Sequence, residues 1–304
     1  MENKNYLYNN YLNMARNSRT ENNLLKALKF YKKAYSLNLG KEDIDLLIDM
    51  ALIYDEIGLY SEAEKKYDEI LKLDEEEAIA YYGLAILYEQ KDELEKAKEF
   101  YKKAIEKNPN YDKAYFFLAN IYDEQGNKDE AIYNYKIVIE INSKDLWANA
   151  NLACILEELN KNEEALKYID KALEISPKHY KILFNKGVIL NKLNRLEESK
   201  EYYNQSIIEN PKYPYSFLNL AVIYREKGDF EKAIKVISQG IKENEEQGFL
   251  YYNRACFYVN AEENLKAIAD LEKSIKLDDL FLEYMKKDAE LDPIREFEEY
   301  KDLI

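Results

Sequence analysis

The stretch Tyr81-Tyr82-Gly83-Leu84-Ala85-Ile86-Leu87-Tyr88, followed by Ala97, Tyr101, Ala104 and Pro109, decides the fold because its pattern returns every 34 residues. One step on it reads Tyr115, Leu118, Ala119, Tyr122, Ala131 and Tyr135, and the next gives Leu152, Ala153, Leu156, Ala165, Ala172 and Pro177. It continues through Leu183, Gly187, Leu190, Tyr203 and Pro211, then Phe217, Ala221, Tyr224 and Ala233, then Tyr251, Ala255, Tyr258 and Ala267. Backwards it reaches Leu47, Ala51, Tyr54, Ala63 and Tyr67. A fixed period of this length means stacked supersecondary units rather than one globular core. Function in such an architecture belongs on a binding surface.

Within one period the spacing predicts two helices. Tyr81, Ala85 and Tyr88 share one helical stripe, and the small residue lets the second helix approach closely. Ala97, Tyr101 and Ala104 form the facing stripe. Eight units follow: 8–43, 44–77, 78–111, 112–145, 146–179, 180–213, 214–247 and 248–281. The first is irregular, with two extra residues, Glu42 and Asp43, and a polar turn without Gly at Ser18–Asn23. Lys186 and Arg254 stand where Leu is expected, their stems buried and their charges reaching water. Gly58, Gly126, Gly228, Asn160 and Asn194 suit a left-handed residue after a helix end. Nothing alternates with period two, so no strands are expected. Beyond the repeats, Leu280–Met285 reads as one more first helix. Asp292-Pro293 then reads as an N-cap and first turn of a short helix carrying Ile294, Phe297, Tyr300, Leu303 and Ile304. The expected organisation is a solenoid over 1–281 and a helical cap over 282–304.

These residues resemble the tetratricopeptide repeat, whose 34-residue helix–turn–helix unit favours a large apolar residue at position 4, Leu at 7, a small residue at 8 and an aromatic or Leu at 11. Ala at 20, an aromatic or aliphatic at 24, a small residue at 27 and Pro at 32 complete the pattern, and Val138, Ser206 and Gly240 depart from it at position 27. The resemblance covers about residues 8–281. It implies an all-α, right-handed α-solenoid of about eight repeats with a C-terminal capping helix, acting as a non-enzymatic protein-interaction scaffold. The segment Leu291–Arg295 resembles terminal segments of some bacterial members.

Composition narrows the setting. The two cysteines lie 102 residues, or three periods, apart, which places them beyond disulfide reach in a stacked array. Free thiols and the absence of an apolar stretch in Met1–Arg16 point to the cytoplasm. No run approaches a membrane helix. The net charge of −15 argues against a nucleic-acid backbone as partner. That charge is uneven: residues 1–43 carry 8 basic and 4 acidic residues, and residues 44–77 carry 3 basic and 12 acidic. Complementary solvated helix faces and a contact site are both compatible with this.

In the resembled family the first helices line the concave side and present positions 2, 5, 6, 9, 12 and 13, which fall on one helical face. Position 6 is Asn at Asn13, Asn151, Asn185, Asn219 and Asn253, the last four in consecutive units. Such a ladder offers a donor and an acceptor per repeat to an extended peptide backbone. The plain alternative is that Asn only solvates the helix surface. Beside it lie Trp147, Phe184, Tyr215, Phe249 and Tyr252, with Tyr82 and Phe116 upstream, as contact area for a partner or as packing between first helices. Cys154, Val188, Val222 and Cys256 add an apolar floor. Positions 12 and 13 carry Asp55-Glu56, Glu89, Asp123-Glu124 and Glu157-Glu158, an acidic rim over units two to five suited to a basic segment.

Two further readings follow. The carboxylate clamp of chaperone-binding members would use Asn120, Asn151 and Lys181, but Phe116 and Asn185 replace the two cations that bind the carboxylate. A structural module could instead bind a folded partner, or a second copy, through its ends or convex face. Enzyme chemistry finds no support: the single histidine, His179, falls at an exposed junction, no cysteine has a histidine beside it, and neither a phosphate loop nor a metal spacing occurs. No cofactor is expected.

Overall fold

The structure is a computed structural model and describes residues 2–304; Met1, the first residue of the expected solenoid, lies outside them. The chain divides into two compact units, residues 1–143 and 144–304. The first contains four helix pairs: α1 (Glu2–Thr20) with α2 (Leu24–Tyr35), α3 (Ile44–Glu56) with α4 (Tyr60–Leu73), α5 (Ala78–Gln90) with α6 (Leu94–Lys107), and α7 (Asp112–Glu124) with α8 (Lys128–Ile141). The second contains α9 (Leu146–Glu158) with α10 (Asn162–Ile175), α11 (Tyr180–Lys192) with α12 (Leu196–Glu209), α13 (Pro214–Glu226) with α14 (Phe230–Glu243), and α15 (Gly248–Asn260) with α16 (Asn264–Leu277). It ends in α17 (Leu280–Lys287) and α18 (Glu298–Lys301). Within each unit every first helix packs on its own partner, and each second helix then packs on the unit's next first helix, so both units are α-solenoids without strands among the described residues.

Small residues set the close crossing inside each pair. Ala51, Ala85, Ala119, Ala153, Ala221 and Ala255 on the first helices are fully buried, as are Ala63, Ala97, Ala131, Ala165, Ala233 and Ala267 facing them. Where the pattern substitutes Gly187 and Ser199, the Ser199 hydroxyl donates to the Gly187 carbonyl at 2.7 Å. A side chain at Gly187 would lie 2.6 Å from the Tyr203 ring, so the small residue is required there.

One residue per pair turns the chain with positive φ: Asn22, Gly58, Asp92, Gly126, Asn160, Asn194, Gly228 and Glu262. The five that sequence singles out are among them. Asp92 and Glu262 show that the turn imposes this conformation even on residues that accept it less readily. The two extra residues of the first pair follow a short 3₁₀ turn at Asn38–Lys41, and Asp43 caps α3 by accepting from the Leu46 amide at 3.0 Å.

Two expectations need correction. Lys186 and Arg254 do not reach into water. Lys186 is held by Asp170 and the Tyr202 hydroxyl, both at 2.7 Å, and Arg254 makes a two-pronged pair with Asp270, both arms 2.7 Å, plus a 2.9 Å bond to Ser238. A half-buried cation is satisfied here by a facing carboxylate. The cap is not one helix starting at Pro293. Residues Ala289–Ile294 form a 3₁₀ turn with Pro293 inside it, Phe297 is extended, and only Glu298–Lys301 is α-helical. Asp288, not Asp292, caps the turn, accepting from the Glu290 amide at 2.9 Å. The turn drives Met285, Leu291, Ile294 and Tyr300 to full burial against the last pair, which covers that end of the stack.

Candidate functional site

In the first unit the surface of the first helices is braced from behind. Tyrosines on the second helices pass through the core and end on groove-face polar groups: Tyr31 donates to Asp49 at 2.9 Å, Tyr101 to Glu89 at 2.6 Å and Tyr135 to Asn120 at 2.5 Å. All three rings are fully buried. Asn120, placed by the sequence in a clamp, therefore spends its amide oxygen on Tyr135. Arg19 adds 3.1 Å bonds to Asp49 and Glu56, and Lys128 pairs with Asp123 at 2.6 Å. Burial pushes the Asp55 and Glu89 carboxyls above the usual carboxylate range, against the lowering effect of their hydrogen bonds. Most of this unit's acidic rim is thus already answered within the chain. Asn13 lies exposed on α1.

The second unit differs. Its second helices carry Ile169, Ile237 and Leu271 where the first unit has bracing tyrosines, so most of its face has no hydroxyl behind it. The four asparagines do not act alike. Asn185 donates to the Cys154 sulfur at 3.1 Å across to the neighbouring first helix. Asn219 and Asn253 donate instead to carbonyls one turn back in their own helices, Tyr215 at 2.9 Å and Phe249 at 2.8 Å. Their amide oxygens accept no hydrogen bond among the described residues. Asn151 is half-buried and Lys181 exposed.

The aromatics form a row. Trp147 meets His179 edge-on at 5.2 Å, His179 stacks on Tyr180 at 5.6 Å, and Tyr180 contacts Tyr213 at 5.1 Å. Tyr213 continues to Phe184 and Tyr215, and Tyr215 stacks on Phe249 at 5.4 Å. Both readings of these rings hold at once: they pack on one another, yet Trp147 and Tyr215 each remain 48% exposed. His179 is half-buried inside the row, which corrects its expected exposure, because it sits between two rings rather than in a free loop.

Tyr252 is not open. The chain's own segment after α17 lies on the face of α13 and α15. Tyr252 donates to Asp288 at 2.6 Å and stacks on Phe281 at 5.3 Å, and Arg225 holds both oxygens of Glu290 at 2.8 and 3.0 Å. Leu291 and Ile294 join the apolar cluster containing Cys256 and Phe257. Sequence reasoning missed this segment as an occupant. The signal available was its acidic residues facing Arg225, a cation at position 12 where units two to five carry Asp or Glu.

Between α9 and α11 a pocket of 130 Å³ remains, lined by Cys154, Glu157, Phe184, Asn185, Val188 and Ile189. Glu157, one of the lining residues, is paired with Lys192. Among the described residues no three His, Cys, Asp or Glu side chains gather as metal ligands, and no helix is long and apolar enough to cross a membrane.

Sequence profiles described as tetratricopeptide repeat match this chain: one over 78–111, a second over 100–133 and 202–235, a third over 148–179, 180–213 and 250–279. No curated protein sequence matches. Among solved structures, a tetratricopeptide repeat protein from Parabacteroides merdae is similar with TM-score 0.59 and 19% identity over 80% of this chain and 97% of that one. PilF of Pseudomonas aeruginosa is similar with TM-score 0.55 and 19% identity over 66% and 90%. YrrB, described as a TPR protein with an unusual peptide-binding site, has TM-score 0.53 and 24% identity over 61% and 95%. At these identities the likeness is one of fold.

Proposed function

The chain belongs to the tetratricopeptide repeat family, and from that premise we propose that it is a scaffold holding an extended segment of a partner protein on the first-helix face of α9, α11 and α13. One observation carries the reading: the same face, at α13 and α15, already holds a non-repeat segment of this chain, Asp288–Ile294, by side-chain hydrogen bonds and apolar burial. The peptide-binding site described for YrrB is consistent with it. In this reading Asn185 and Asn219 lend amide groups to the partner's backbone, which makes the hold tolerant of sequence. Trp147 and Tyr215 supply rigid contact area at low entropic cost. In this reading the scaffold performs no chemistry on its partner, and two cysteines that form no disulfide are consistent with a reducing, cytoplasmic setting.

Affinity capture from a lysate tests this with three baits: the wild type, a variant with Asn151, Asn185, Asn219 and Asn253 all changed to Ala, and Tyr133→Ala on the exposed side of α8. Circular dichroism establishes that each bait is folded. Partners lost from the Asn variant and kept by Tyr133→Ala support the groove. The reverse pattern overturns it in favour of the outer helix face or the ends.

A further inference from the structure

The open pocket and the occupied site are copies of one another, two periods apart. Cys154, Glu157, Phe184, Asn185, Val188 and Ile189 line the pocket. Sixty-eight residues on, the same positions are Val222, Arg225, Tyr252, Asn253, Cys256 and Phe257; of these Val222, Tyr252, Cys256 and Phe257 share the apolar cluster of the chain's own Leu291 and Ile294, and Arg225 holds Glu290. The occupied copy shows what each position does. Tyr252 donates its hydroxyl to Asp288, Arg225 grips the Glu290 carboxylate from above the Phe257 ring, and Leu291 is fully buried in the cluster around Cys256 and Phe257.

The positions that touch the segment's carboxylates change chemistry in the open copy, and Val188 there replaces the Cys256 thiol that lies 4.0 Å from Asp288. Phe184 replaces Tyr252 and offers no hydroxyl, so a carboxylate at the place of Asp288 would lose its partner. Glu157 replaces Arg225, so a carboxylate at the place of Glu290 would meet a like charge and a cation would meet a counter-charge. Val188 and Ile189 keep the floor apolar. The Glu157 carboxylate is held by the Lys192 ammonium on a flexible stem, and a second cation can share it.

We infer that the pocket between α9 and α11 takes a partner segment built like Asp288–Ile294 but with an apolar residue in place of Asp288 and an arginine or lysine in place of Glu290, followed by the aliphatic residue. The inference rests on the groove reading and names the chemistry of its partner. The same logic keeps the chain's own segment, and that of a second copy, out of the pocket: specificity comes from the unfavourable pairing of Glu290 with Glu157 as much as from the favourable one.

Two 12-residue peptides test it against the intact chain by fluorescence anisotropy. One copies residues 286–297; the other carries Asp288→Leu and Glu290→Arg. The altered peptide should bind at least about tenfold more tightly. It should also slow alkylation of Cys154 in the pocket wall, while Cys256, whose thiol burial pushes up to about 12 beneath the chain's own segment, stays unreactive with or without peptide. Changing Glu157→Arg together with Phe184→Tyr in the protein should reverse the preference. Equal binding of the two peptides, no binding of either, or binding without protection of Cys154 overturns the inference. Tighter binding of the unaltered copy also overturns it and makes the pocket a site for a second copy's segment. If neither peptide binds while the four-Asn variant loses its partners, the groove stands and the pocket chemistry falls. If the altered peptide binds and protects Cys154 while the four-Asn variant keeps every partner, the pocket stands without the groove.

Discussion

The two units are built from the same period and use it differently. In residues 1–143, three buried tyrosines reach through the core to hold Asp49, Glu89 and Asn120, and most of the acidic rim is answered from within. In residues 144–304, aliphatic residues take those places at Ile169, Ile237 and Leu271, and Asn219 and Asn253 turn to their own helices and Asn185 to Cys154. A hydroxyl at the back of the face satisfies a polar group on it from within, whereas an aliphatic residue there offers none. The one tyrosine of the second unit at this position, Tyr203, is the informative exception: it is fully buried and its hydroxyl has no hydrogen-bond partner.

Removing a brace altogether should have the largest effect. Tyr101→Ala empties a fully buried ring site, and a large-to-small change of this kind costs about 3–5 kcal/mol. Denaturant unfolding followed by circular dichroism should show the loss, with the early transition assigned to residues 1–143 by hydrogen exchange. A loss below about 1 kcal/mol would mean that the brace is incidental.

A finer comparison takes only the hydroxyl. Tyr135→Phe strands the Asn120 amide oxygen and should cost about 1 kcal/mol, whereas Tyr203→Phe removes an unsatisfied buried hydroxyl and should be neutral or stabilising. Equal effects in the two units would erase the distinction between a braced and an unbraced face. The smallest effect belongs to the clasp on the terminal segment. Arg225 and Glu290 are both partly exposed, so Glu290→Ala should cost about 0–1 kcal/mol and lose even that in high salt. Faster amide exchange confined to residues 288–294 would locate the effect.

Much of this molecule is legible in its residues because a period is a statement about backbone geometry. The Ala positions had to be buried, since no larger side chain fits between two helices that cross so closely, and Gly58, Gly126, Gly228, Asn160 and Asn194 had to turn the chain. The face carrying Asn185, Asn219 and Trp147 is equally a matter of spacing along a helix. What those side chains do on the face is not. Whether Asn219 points to a partner or to the Tyr215 carbonyl depends on one rotamer, and an isolated repeat pattern does not choose it. The tyrosine braces were written in the sequence as Tyr at position 24 opposite Asp, Glu or Asn, but only a pairing of both helices gives that coincidence meaning.

The sequence by itself determined the helices, their order, their turns and the stripe on which they stack, because each depends on residues within one period. Tertiary structure alone decided which polar groups of the face are already satisfied, and that the chain's own Asp288–Ile294 occupies the site at the last pair. Those outcomes depend on distances between side chains far apart in the chain. The 3₁₀ turn through Pro293 illustrates the reason: local preference favoured a helix start there, and burial of Leu291 and Ile294 with a hydroxyl and a guanidinium waiting for Asp288 and Glu290 favoured the turn.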